Sequence, residues 1–71
     1  MIREILGGEF MDCHEVQNIC MKRGISKIEV RKQKRYEGIK TVEVESESGE
    51  KLWLWFDPRQ IWEKYHAREG D

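Results

Sequence analysis

Apolar and polar positions along this chain follow two different rhythms. In "MDCHEVQNICMKRG" the residues Cys13, Val16, Ile19 and Cys20 recur at helical spacing, and both ends of the segment are marked. Asp12 is placed to accept from the free N–H groups of a first helical turn, and Glu15 stands three residues later, as in a capping box. Met11 and Val16 fall at the two positions of a hydrophobic staple. Lys22 and Arg23 suit the negative end of the helix dipole, and Gly24 suits the left-handed position beyond it. "FDPRQIWEKYHAREG" repeats the pattern, with Asp57 as N-cap, Pro58 in the first helical position and Gln60 at the box position. Phe56 and Ile61 form its staple, Ile61, Trp62 and Tyr65 its apolar stripe, and Gly70 lies just past its last turn. Between these helices the rhythm changes to two. Ile28 and Val30, then Val42 and Val44, then Leu52, Leu54 and Phe56 alternate with other residues, separated by "YEG" and "ESG". The expected fold is α+β, a small single domain in the order α-β-β-β-α, with a three-stranded antiparallel meander packed with two helices.

Register decides which side chains share a face. A two-residue turn at Glu37-Gly38 mixes apolar and polar residues on both faces, because a slip of one residue exchanges them. Three-residue loops, Tyr36-Glu37-Gly38 and Glu47-Ser48-Gly49, repair this and place a glycine at each left-handed loop position. They pair Val30 with Val44, Lys32 with Val42, Val44 with Leu52 and Val42 with Leu54. The aliphatic row is then expected to face the core. Trp53 and Trp55 share the other face with Arg31, Gln33, Thr41 and Glu43, and Arg31 stands opposite Glu43. Two readings of that face follow. In one, a helix covers the Trp pair; in the other, the pair binds a partner, since Trp and Arg are enriched at interface hot spots.

Charge changes this picture little. The chain has 71 residues, with 13 Lys plus Arg against 14 Asp plus Glu, so a general polyanion binder with a basic excess is disfavoured. The basic run "VRKQKR" is followed by the acidic run "VEVESESGE", and in the expected register the two partly neutralise each other. Lys32, Lys34 and Arg35, with Lys40 nearby, remain as a small basic tip. Apolar residues make up 38% of the chain, and a core of this size yields roughly 3–5 kcal/mol of net stability. Self-association would add to it.

Candidate chemistry is sparse. Cys13, His14, Cys20 and His66 are the nitrogen and sulfur ligands of the type zinc takes, but their spacing matches no zinc motif. Cys13 and Cys20 read as core residues of one helix, roughly 10 Å apart along its axis. That exceeds the separation of about 7 Å that a disulfide allows. Gly7-Gly8 opens no phosphate loop, and the carboxylates are spread as surface charge. The longest apolar stretch, Leu52 to Phe56, is too short to span a membrane. These features point to a cytoplasmic, non-enzymatic protein with no metal and no cofactor.

"GISKIEVRK" resembles the turn and recognition-helix start of excisionase-type helix-turn-helix proteins. "GEKLWLWFDPRQIWEKY" is similar to the wing strand and closing helix that follow in that family. The resemblance covers about half the chain and implies DNA binding through Ser26, Lys27, Arg31 and Lys32. It departs from the family at Arg23, where an apolar residue is usual, and Ile28 and Val30 stand at strand spacing. The order α-β-β-β-α also resembles double-stranded-RNA-binding domains, but the last helix lacks their lysine cluster.

Residues 1–11 carry a separate expectation. "GGEFM" can be encoded by a bacterial ribosome-binding sequence followed by a start codon, an expectation that makes Met11 the natural first residue and "MIREILGGEF" a translated leader of bacterial or phage origin. The alternative is a short docking segment in which Ile2, Ile5 and Leu6 meet the core, with residues 12–71 forming the single domain. The function expected from the residues is a small protein-interaction module, a bacterial or phage regulator or inhibitor. It acts through Trp53, Trp55, Arg31, Gln33 and Glu43 on an unknown protein or on a second copy. The alternative is a DNA- or RNA-binding module using Lys32, Lys34, Arg35 and Lys40.

Overall fold

Local capping chemistry sets most helix boundaries in the computed structural model, which describes residues 1–69 and their side chains through His66. The order is α1 (Ile2–Leu6), β1 (Met11–Asp12), α2 (Cys13–Lys22), α3 (Lys27–Glu37), β2 (Lys40–Glu45), β3 (Lys51–Phe56) and α4 (Pro58–Glu69). Asp12 caps α2 by accepting from His14 N at 2.7 Å, and Val16 and Cys20 are its buried stripe. Gly24, at φ 80, takes the left-handed position beyond the helix. Asp57 caps α4 by accepting from Arg59 N at 2.9 Å. The reciprocal half of that capping box is not made, because Gln60 Oε1 has no partner among the described residues. Gly70 lies outside them.

The class is α+β with a three-stranded antiparallel sheet, as expected, but the strand expected at Ile28–Val30 is a helix. Ser26 accepts from Glu29 N at 3.2 Å at its start, Lys34 and Arg35 occupy its last turn, and Gly38 closes it at φ 73. Residues two apart on a helix point roughly 200° apart at 3.6 residues per turn. Val30 is therefore buried and Ile28 is 70% exposed. Two β-branched residues among Lys, Arg, Glu and Gln do not outweigh good helix formers with caps at both ends. The left-handed Gly38 foreseen for a hairpin loop terminates this helix instead. Gly38→Val should destabilise the domain by roughly 1–2 kcal/mol in urea denaturation, from the left-handed backbone alone. A Cβ there would meet only Arg59 Nη2, at an ordinary 3.6 Å.

The third strand comes from Met11–Asp12, so the sheet order is β1-β3-β2 rather than a meander. Met11 pairs with Trp55 and Asp12 with Leu54. The β2–β3 hairpin has the expected register: Val42 opposite Leu54, Val44 opposite Leu52 and Glu43 opposite Trp53. Its loop is Glu47-Ser48-Gly49, with Gly49 at φ 87 and Ser46 N donating to Glu50 O at 2.8 Å. Arg31, on α3, does not pair with Glu43, whose ionic partner is Lys51 at 3.4 Å.

The buried face of the sheet is the opposite of the expected one. Trp55 is 6% exposed and joins Ile2, Leu6, Val16, Cys20, Val30 and Ile39 in the core. Lys34 of α3 lies over its ring, 4.9 Å from the centroid, and donates to Thr41 Oγ1 at 2.7 Å. The helices thus cover the Trp55 and Thr41 face. Val42, Val44 and Leu52, 36–45% exposed, lie on the outer face. Ile2 and Leu6 of α1 are fully packed in this core.

Candidate nucleic-acid interface

α2 and α3 are joined by a short turn, residues 23–26, that contains Gly24. A turn of this length is the connection found in helix-turn-helix motifs. Here the β2–β3 hairpin follows directly. α3 is held at its C-terminal end by a polar junction. The Glu37 carboxylate accepts from the Met1 amino group at 3.0 Å, from Ile2 N at 3.1 Å and from Arg3 N at 3.1 Å, filling the free donors at the start of α1. Arg59 Nη2 donates to Glu37 O at 3.0 Å, and Arg3 forms an ion pair with the buried Asp57. Burial pushes the Glu37 carboxyl up, but the Arg3 and Ile2 N–H groups and the Met1 ammonium together hold it below the usual glutamate value. The Glu37 carboxylate thereby ties α1, and its backbone carbonyl through Arg59 ties α4, to the end of α3.

The outward side of α3 is basic and partly apolar. Ile28, Arg31, Lys32, Arg35 and Tyr36 line a shallow open groove of about 450 Å³. Arg31 and Arg35 also border a second groove of about 470 Å³, which continues past Lys34 to Lys40 at the start of β2, over Trp55 and Gln17. No carboxylate lines either groove. Glu37 is buried in the junction, and the hairpin acids Glu43, Glu45, Glu47 and Glu50 stand on a different element. A chain of balanced total charge therefore carries a basic helix face and an acidic hairpin side by side.

Of the residues expected to bind nucleic acid, Lys34, Arg35 and Lys40 meet at the second groove, while Lys32 joins Arg35 at the first. Arg31, assigned by the sequence to the Trp face, belongs to both. The expected partner-binding group of Trp53, Trp55, Arg31, Gln33 and Glu43 is not assembled. Trp55 is in the core, Trp53 and Glu43 face each other across the hairpin, and Gln33 opens onto another hollow beside Arg3 and Glu4. Ile28 and Tyr36, the latter 87% exposed, were missed. Their signal is helical spacing, since positions 28, 31, 32, 35 and 36 form one helix face.

Other candidate chemistry is local. Asp12, Cys13 and His14 hold three ligand-type atoms within 4.8 Å, but they are consecutive residues gathered by the cap itself. Burial pushes the Cys20 thiol up, away from the reactive thiolate. No helix among the described residues is long and apolar enough to cross a membrane. Comparison of the chain with protein-family models, with curated proteins and with solved structures finds no match.

Proposed function

We propose that the protein binds double-stranded DNA, with α3 entering the major groove and Lys34 and Arg35 lying along the phosphates. The observation that carries this reading is the pair of basic grooves along α3, neither lined by a carboxylate, on the second of two helices joined by a short turn. An exposed helix fits the major groove, where Arg and Lys read guanine edges and apolar groups meet thymine methyls. Arg31, Lys32, Ile28 and Tyr36 offer both kinds of contact. The acidic hairpin stays off the phosphates, so near-zero net charge does not prevent binding at the other face. A protein module working through Trp53 and Trp55 together has no shared exposed surface to work through.

Fluorescence anisotropy with a labelled mixed-sequence duplex tests this. Affinity should fall with salt, with a log–log slope of about −3 to −4 if Arg31, Lys32, Lys34 and Arg35 each neutralise one phosphate. The exposed pair Arg31→Ala and Lys32→Ala should together lower affinity by about tenfold to a hundredfold and reduce the slope by about 2, with the circular dichroism spectrum unchanged. Absence of binding at low salt, or binding indifferent to the double substitution, would sink the reading.

A further inference from the structure

We propose that the outer face of the sheet is the docking surface for a second copy of this chain, packed across a two-fold axis. β2 and β3 alternate, so Val42, Val44, Leu52, Leu54 and Phe56 share this face, away from α3. Phe10 stacks on Phe56 with ring centroids 4.9 Å apart, and Trp62 and Tyr65 of α4 extend the same surface beside Phe56. Val42, Val44, Leu52, Phe10, Trp62 and Tyr65 are all exposed, 36–65%. Single exposed apolar residues need no explanation, but a continuous surface built from a strand pair, a loop and a helix does.

Three observations select a second copy as the occupant. The first is area. A folded monomer of 8.6 kDa is expected to expose about 4,700 Å². This chain exposes 5542 Å². The excess, about 800 Å², is close to what each partner contributes to an interface of standard size. The second is shape. The molecule measures 42 × 33 × 18 Å, thin enough for a single layer of helices on a sheet. Two such sheets packed face to face, roughly 10 Å apart, give a helix–sheet–sheet–helix stack with the apolar rows inside. The third is charge. The hairpin begins at Lys40 and ends in Glu45, Glu47 and Glu50. With the two-fold axis between the sheets and across the strands, the hairpins run in opposite directions and each acidic tip approaches the partner's Lys40. An axis along the strands would set acidic tip against acidic tip. α3 lies on the opposite side of the sheet, so Arg31, Lys32, Lys34 and Arg35 stay open in both copies, while Lys40, opposite Phe56 in the register, faces the partner.

Sedimentation equilibrium on the full chain, from about 1 μM to about 300 μM, spans the affinities at issue. The expected mass rises from 8.6 kDa to twice that value. Val44→Glu and, independently, Trp62→Glu should each weaken association at least about a hundredfold, with the circular dichroism spectrum retained because both side chains are exposed. The two substitutions lie on different elements, so loss of folding in one leaves the other as the reading. A wild-type chain that stays at 8.6 kDa at the highest concentration overturns the proposal, even if another protein binds this face. So does a dimer that survives in every variant that folds.

Discussion

Trp55→Ala should destabilise the domain by about 3–5 kcal/mol, the usual cost of emptying a buried aromatic site. The indole is the largest side chain in a core of small aliphatic residues and the floor on which Lys34 rests. It also lies on the central strand, opposite both Met11 and Thr41, so its loss loosens β1 and β2 together. A domain this small holds only roughly 3–5 kcal/mol in reserve, so a large part of the population should be unfolded in water. Trp53→Ala is the control. That ring is 43% exposed, near the tip of the same hairpin, and its removal should cost less than about 1 kcal/mol. Urea denaturation followed by circular dichroism measures both. Similar small losses for the two variants would show that Trp55 does not occupy the core.

The second large effect belongs to Glu37. Its carboxylate answers three donors at the start of α1, and Arg59 binds its carbonyl. Glu37→Leu leaves those donors without their acceptor at a buried junction, which should cost about 3 kcal/mol and release α1 from α3. Ile2 and Leu6 would then lose their packing. Glu37→Gln keeps one oxygen acceptor and should lose less. The same group sets an acid limit. Its folded pKa is below its ordinary value, so between the two values the unfolded chain binds the extra proton. The stabilisation is complete above the ordinary glutamate pKa of about 4.3 and is lost as pH falls through the folded value. Denaturation midpoints for wild type and Glu37→Leu, measured at neutral pH and near pH 3, should converge on acidification. A gap that persists unchanged at low pH would remove the carboxylate as its source.

Features decided within a few residues were legible in the sequence by itself. Asp12 and Asp57 start helices because a short carboxylate reaches the N–H groups of the following turn. Gly24, Gly38 and Gly49 all take left-handed backbone, and the Glu47-Ser48-Gly49 loop puts Val44 opposite Leu52. The turn and helix start implied by "GISKIEVRK" are also local, and Ser26 caps α3 there. The tertiary structure alone decided three other matters. Ile28 and Val30 satisfy a strand period as well as a helix that buries only one of them; caps and helix formers favour the helix, and packing decided that Val30 joins Val16 and Cys20 while Ile28 stays outside. Met11–Asp12 is too short to show any period, and it pairs only because β3 presents a free edge beside it. Register determines which side chains stand together on a sheet face, but both faces of this hairpin carry large apolar side chains, an aliphatic row on one and Trp53 and Trp55 among polar residues on the other. Which of them is buried depended on where α2 and α3 came to rest, and they settled on Trp55. That placement separated the basic helix from the acidic hairpin and left the aliphatic row outside, because long-range packing assigns the faces that local spacing only defines.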